Sequence, residues 1–535
     1  MEAADRCGGP GSRGRLRNMS TSPADVIVVG AGHNGLVAAT FLARGGLRVH
    51  VVEEKQVIGG AVRTERPFKK VPDLATSTGA YLLGVMQPEL IAKLGIDLPL
   101  LRRDPHYFLP TTGSRYLLFG SDSAAMKQQF VSFFSEQDFA AYERLQTEIG
   151  QIRDDVHATW LTEPLSIEDT AERYVRPALR QIFIDLCRKP VGDYLNRFGF
   201  KSDLVKAMYG VTDGFSGCFG SWDTPGTGMN FLVHNMCRLP GSDGTWMIVK
   251  GGMGTVTARI ADAARAAGAK IETGRGVQRV IVEGGVARGV VLSDGTELRA
   301  KAVVMNADPF RTRDLVDRSA LPESFHKKID HWMRPGSTFK VNLALKGVPR
   351  FTCLPEDRNQ YSSTIHLLPD EKDVLRLLRE GFADVQAGRL AEFPTIEWYI
   401  HTTVDSSLKD AAGHHNSALF VQWVPMELSG GKTWEAEEDR YVKHLLSICD
   451  RFAPGTSDLV ADTFPLHPKK IEQHFGIKNG HIHHVDNSFG FADRAPYAWP
   501  LQGLYSCSAG THPAGSVIGA AGHNAAMRVL ADLNR

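Results

Sequence analysis

Two glycine turns and one acid carry the most legible chemistry in this sequence. Gly30-Ala-Gly32-His33-Asn34-Gly35 follows the apolar run Val26 to Val29, and Glu53 closes a second apolar run eighteen residues beyond Gly35. A turn of this kind presents backbone N–H groups and the positive end of a helix to an anion, while the acid accepts from ribose hydroxyls. Strand, turn, helix, strand and acid in this order predict a dinucleotide site. Gly30 is expected to make the tight turn, Gly32 to let a pyrophosphate approach, and Gly35 to let helix meet sheet, with His33, Asn34 and Glu54 flanking the ligand. An acid at the ribose disfavours a 2′-phosphate and so disfavours NADP. Gly59-Gly60, followed by Arg63-Thr64, adds a second glycine turn. An extended FAD has phosphates to meet such a turn and NAD does not need it, so FAD is the expected cofactor.

A third small-residue turn lies near the C-terminus. The run Leu504 to Ser508 enters Ala509-Gly510-Thr511-His512-Pro513-Ala514-Gly515-Ser516-Val517, and small residues at helical spacing follow. This helix is expected to aim its positive end at the flavin, where negative charge develops on reduction. Gly510, Gly515, Ser516 and Val517 are therefore candidate cofactor contacts. His512 is the candidate catalytic residue, handling a proton, and its plainer role is a hydrogen bond to the cofactor. Val277, where the chain returns to the sheet in the manner of extended-FAD proteins, which place a residue near this point against the adenine, and Asn306, at the end of a predicted strand, complete the expected cofactor set. His481, His483 and His484 are the densest histidine cluster, but no Cys, Asp or Glu at ligand spacing completes a set, so no metal is expected. His414-His415 reads as a solvated loop. Neither a nucleophile elbow nor a P-loop is found.

These turns require elements to hold them. Around them the pattern is α/β, an FAD-binding Rossmann-like domain with an inserted substrate domain of mixed helix and sheet. Residues 1–24 read as a disordered extension, 25–75, 246–325 and 476–535 as three parts of the FAD domain, and 76–245 and 326–475 as the substrate domain. The first substrate part is mostly helical, with apolar residues at three- and four-residue spacing over 130–152 and 178–198. Its phenylalanines, Phe133, Phe134, Phe139, Phe183, Phe198 and Phe200, read as core before they read as an apolar tunnel. The second part carries strand-like runs at 338–345, 395–403 and 417–424 and a helix at 435–452, a sheet expected to floor the substrate cavity.

Composition bounds the rest. At 535 residues, 43% hydrophobic and 23% charged, the chain is globular with room for two or three domains, and a formal charge of +1 gives no support for nucleic-acid binding. Seven scattered cysteines without a Cys-x-x-Cys fit a reducing compartment and argue against a redox-active disulfide beside the flavin. The first eighteen residues carry four arginines but no apolar segment, so they are not a secretory signal. Glu2, Asp5 and Gly8-Gly9-Pro10-Gly11 argue against a mitochondrial presequence, and Met19 stands where a start could be. No run of eighteen apolar residues predicts a spanning helix.

The motifs GAGHNGLVAA, VIGGA, VKGGMG, LSDGTE with AVVMNADP, and PLQGLYSCSAGTHPAGSVIGAAGHNAA together resemble the phytoene desaturase-like FAD oxidoreductases, with flavin-dependent carotene ketolases nearer than ordinary desaturases. The resemblance runs from Asp25 to Leu533 and is loose between about 125 and 240. It implies a fold like that of monoamine oxidase or glutathione reductase, non-covalent FAD, and hydride transfer involving flavin N5 and a lipophilic small molecule, polyene or isoprenoid. Peripheral membrane contact would suit such a substrate. It also implies a cytoplasmic location in a bacterium or the mitochondrial matrix in a eukaryote. Related chains usually carry a glutamine and an Arg-Pro pair before the last motif, whereas this one reads Asp486-Asn-Ser-Phe-Gly-Phe-Ala-Asp-Arg494-Ala-Pro496. Alternatives are a carotene desaturase or ketolase proper, an NAD dehydrogenase using the first unit alone, and a flavin-binding regulatory protein with little catalysis. Substrate, direction, electron acceptor and oligomeric state stay open.

Overall fold

The computed structural model describes residues 24–369 and 371–534, so the extension assigned to 1–24 lies almost wholly outside the described residues. Val26–Val29 is the centre of a five-stranded parallel sheet. Val49–Val52 and then Lys270–Glu272 lie on one side of it, Ala302–Met305 and then Leu504–Ser506 on the other. Strands far apart in sequence thus close on one frame. Both faces are covered, which is why these strands read as unbroken apolar runs. Val26, Val28, Val49 and Val51 pack under the helices His33–Arg44, Gly254–Ala266 and Ala520–Asp532. Ile27, Val29, Val52, Val303 and Met305 face the opposite way, against Phe310, Trp332 and Trp499 and a separate antiparallel sheet formed by Val277–Glu283, Val286–Leu292 and Glu297–Arg299. A Cβ on Gly522 would collide with the Asn34 carbonyl, so the last helix lies directly on the first.

A second sheet of seven strands runs in the order Val460–Leu466, Thr338–Leu345, His415–Gln422, Thr395–Tyr399, Thr364–Leu367, Tyr107–Pro110, Tyr116–Phe119. Alternation divides its faces. Phe339, Val341, Leu343, Ile365, Ile396, Trp398, Leu419 and Val421 bury one face against the helix Trp434–Phe452. The run read as strand to Thr403 ends at Tyr399, and His401–Thr403 forms a 3-10 turn.

The helical part differs in detail from its periodicity. The segment 130–152 is two helices, Ser123–Phe133 and Glu136–Val156, because Ser135 turns out of helical geometry and caps the second through the Asp138 amide. The segment 178–198 is broken at Lys189-Pro190, where proline cannot continue the hydrogen-bond ladder, giving Arg180–Arg188 and Val191–Asn196. Phe133, Phe139, Phe183, Phe198 and Phe200 are core side chains of this helical layer, with Phe134 packed against them. Among the described residues no helix is long and apolar enough to cross a membrane.

Candidate functional site

One groove runs from the glycine turn at the end of the central strand to the seven-stranded sheet. At the near end the first two glycine turns touch. Gly59 N–H donates to the Ala31 carbonyl at 2.8 Å, Gly32 and Gly59 form a parallel bridge, and a Cβ on Gly60 would stand 3.5 Å from Gly32 Cα. Gly30 and Gly59 have φ of +100° and +114°, which only glycine adopts without strain. Asn306 explains the rest of the turn. Its side chain would meet a Cβ on Gly32 at 2.7 Å and on Gly35 at 3.1 Å, and Gly35 also lies under the Gly30 carbonyl. Glu53 accepts from Ala31 N at 2.8 Å and Lys55 N at 2.9 Å, so its carboxylate is fixed and each oxygen keeps a lone pair for a ligand. Glu54 pairs with Arg311.

The predicted residues are distributed unevenly. Gly30, Gly32, His33, Asn34, Glu53, Glu54, Gly59, Gly60, Val277, Asn306, Ser516 and Val517 line the groove. Gly35, Gly510 and Gly515 do not. Gly515 makes room for the backbone of His483, and a Cβ on Gly510 would stand 3.0 Å from Pro309 and 3.1 Å from Val485. The last helix begins only at Ala520, so Ala509, Ser516 and Val517 are what the third turn brings to the groove.

His512 is a correction to the sequence reading. Its Nε2 lies 3.0 Å from the Thr159 carbonyl, its ring packs edge-on against Phe491, and it does not reach the groove. Burial lowers its pKa to about 4, and its Nδ1 has no partner among the described residues. Of the three clustered histidines, His481 is paired with Asp486 at 3.0 Å, while His483 and His484 line the groove. Among the described residues no group of three His, Cys, Asp or Glu side chains is placed to hold a metal ion.

The divergent run before the last motif has a structural role. Arg494 is buried and donates to five carbonyl oxygens, those of Val485, Asp486, Phe489, Ala509 and Thr511, at 2.8 to 3.0 Å. It ties the 485–489 loop to the third turn.

At the far end the groove meets the polar face of the seven-stranded sheet. Register places Lys340 opposite Phe420, Phe420 opposite Glu397 and Glu397 opposite His366, a row across four strands. Lys340 is 6% exposed and has neither hydrogen bond nor ion pair among the described residues. Its ammonium sits between the rings of Tyr81, at 4.0 Å, and Phe420, at 4.3 Å, and burial brings its pKa down to about 7. Burial raises Glu397 to about 7 as well, although Tyr399 donates to its Oε2. Asp213, on the turn Gly210–Phe215, is pushed up to about 7 by burial against a hydrogen bond from Asn235. Arg103 donates to Trp246 O at 2.9 Å and Thr364 Oγ1 at 2.6 Å. Three groups poised near neutrality can accept or release a proton inside a cavity whose apolar and aromatic lining includes Tyr81, Leu82, Trp246, Phe420 and Ile482.

Sequence reasoning passed over Arg103, Lys340 and Glu397. A signal existed for two of them, since Lys340 interrupts Thr-Phe-Lys-Val-Asn-Leu and Glu397 interrupts Thr-Ile-Glu-Trp-Tyr, single charges within apolar strands.

The residues present fit a dinucleotide. His33 Nε2, Asn34 Oδ1 and His484 Nδ1 are buried and without partners, all on residues lining the groove beside the two touching glycine turns. Comparison with known proteins agrees. The family described as flavin containing amine oxidoreductase matches residues 35–374. A mouse protein named pyridine nucleotide-disulfide oxidoreductase domain-containing protein 2 is 33% identical over 98% of this chain and 95% of its own. One component of the limonene dehydrogenase of Castellaniella defragrans is 25% identical over 95% of each. Among solved structures, an oxidoreductase from Methanosarcina mazei superposes with a TM-score of 0.60 at 17% identity, covering 95% of this chain and 99% of that one.

Proposed function

Because the chain belongs to the flavin containing amine oxidoreductase family and is an FAD-dependent oxidoreductase, we propose that it moves a hydride between FAD and a small lipophilic molecule held against the seven-stranded sheet. One observation carries the reading: a single groove joins the glycine turns to a cavity in which Tyr81, Leu82, Trp246, Tyr399, Phe420 and Ile482 offer apolar and aromatic surface among a few charged and polar side chains. The similarity to a limonene dehydrogenase component supports a hydrocarbon-like substrate skeleton. Bound in the groove, FAD supplies the two-electron acceptor or donor.

The chain's own residues do the rest. Gly30, Gly32, Gly59 and Gly60 would give a pyrophosphate access to the backbone, Glu53 would accept from a ribose, and His33, Asn34, Asn306, Ser516 and Val517, which line the groove, would hold the rest of the cofactor. Tyr81, Trp246 and Phe420 orient the substrate and exclude water. Lys340, uncharged in part at neutral pH, is the proton acceptor, and Glu397 is the second group able to carry a proton.

The test is to purify the protein, release its cofactor and identify it by mass and spectrum, then add candidate lipophiles anaerobically. FAD whose colour is bleached by a lipophile supports the reading. A colourless protein, or a flavin that no lipophile bleaches and that, once reduced with dithionite, no lipophile reoxidises, would count against it.

A further inference from the structure

Arg103 is a buried cation that no carboxylate contacts directly, Glu397 acting on it only across the cavity. It is 5% exposed, its hydrogen bonds go to a carbonyl and a hydroxyl, and among the described residues no carboxylate pairs with it. Nη2 donates to nothing among the described residues, and the residue lines the substrate end of the groove together with its two acceptors, Trp246 and Thr364. Burying a charge without a partner is costly, and a guanidinium fork with free donors matches a carboxylate in shape as well as in sign.

From this we infer that the lipophilic substrate carries a carboxylate at one end, and that Arg103 binds it while the apolar remainder lies along Tyr81, Trp246 and Phe420. The inference rests on the substrate reading above and adds the polar end of the molecule. Lys340, when protonated, adds positive charge to the same cavity, its ammonium lying against ring faces. The opposing groups are Glu397 and Asp213, which also line it. Glu397 accepts from Tyr399, and Asp213 accepts from Asn235 with His234 at 4.0 Å, so both already have neutral partners. Burial moves their protonation up toward neutrality, which reduces repulsion of an incoming anion. Arg103 stays charged throughout the neutral range, since burial lowers it only to about 10.

The experiment uses the purified full chain with its cofactor and three probes of one skeleton: 3-phenylpropanoate, 3-phenylpropanamide and 3-phenylpropylamine. Binding is read from the visible flavin spectrum and from tryptophan fluorescence, since Trp246 lines the cavity. The carboxylate is expected to bind roughly tenfold to a hundredfold more tightly than the amide, the range of one or two charge-assisted hydrogen bonds. Arg103→Gln should abolish that difference, and Arg103→Lys should keep part of it. Equal binding of acid and amide, tightest binding by the amine, or no binding of any probe would overturn the inference. If Arg103→Gln does not fold, the probe series on the unaltered protein decides alone. Absence of FAD would defeat the flavin reading separately, and the fluorescence titration would still report on the carboxylate.

Discussion

Lys340 and Phe420 stand directly opposite each other on neighbouring strands, with the ammonium nitrogen 4.3 Å from the centre of the phenyl ring. Tyr81 covers the other side of the same nitrogen at 4.0 Å. Two ring faces recover only part of the hydration lost, on the order of 2 kcal/mol each when desolvated. The remainder of the cost appears as a lysine that gives up its proton near neutrality.

Lys340→Met should therefore change the pH profile of stability. With the folded pKa lowered from 10.5 to about 7, the unfolded chain holds a proton that the folded chain has released between those values. Stability of the native protein accordingly rises with pH across that window, and the cost of the buried charge is complete below pH 7. The variant lacks this dependence. Its advantage in thermal midpoint should be greatest below pH 7 and shrink by about 1.4 kcal/mol per pH unit above it. Parallel melting profiles from pH 6 to 9 would show that Lys340 titrates normally.

Gly32→Ala should empty the cofactor site without unfolding the protein. The backbone there has φ −70° and ψ 170°, open to any residue, so the conflict is with the Asn306 amide at 2.7 Å. A displaced Asn306 intrudes on the glycine turns, and FAD content should fall at least about tenfold. Adding Asn306→Ala should restore part of the flavin, a coupling that a double-mutant cycle measures. No recovery would point to the methyl group itself as the obstacle.

Arg494→Met removes a donor from five carbonyl oxygens, of which, among the described residues, only that of Asp486 keeps another, the Phe489 amide. Loss of about 3–5 kcal/mol is expected, along with loosening of the third turn. Differential scanning calorimetry with and without added FAD reads both effects, and a midpoint within a degree or two of the parent would contradict this role.

His512→Ala should behave as a stability variant. It removes the ring's contact with Phe491 and one of the partners of the Thr159 carbonyl, which keeps Thr162 N and Oγ1, and should cost roughly 1–3 kcal/mol. The visible flavin spectrum and FAD content should stay as in the parent, because the ring does not face the groove. A shifted spectrum in a normally folded variant would return His512 to the cofactor.

What the sequence determined by itself is the local part of the nucleotide frame. Val26–Val29, the turn at Gly30, the helix from His33 and the strand ending before Glu53 are set by neighbours along the chain, through apolar runs, glycine dihedrals and helical spacing. Those signals act over a few residues and survive in the bare sequence. Two charges inside apolar strands, Lys340 and Glu397, were also visible there as irregularities, without anything to say what they faced.

Only the tertiary structure decided which residues share the cavity. Asn306 sits in the glycine turn because the strand Ala302–Met305 pairs with Val26–Val29 across more than 270 residues. Arg103, Tyr81 and Lys340 meet because the seven-stranded sheet takes strands from both halves of the substrate region. The same folding turned His512 away: its place beside the third turn made it a plausible proton carrier, and packing against Thr159 and Phe491 removed it. Sheet register and side-chain facing depend on partners distant in the chain, and residue spacing contains no information about them.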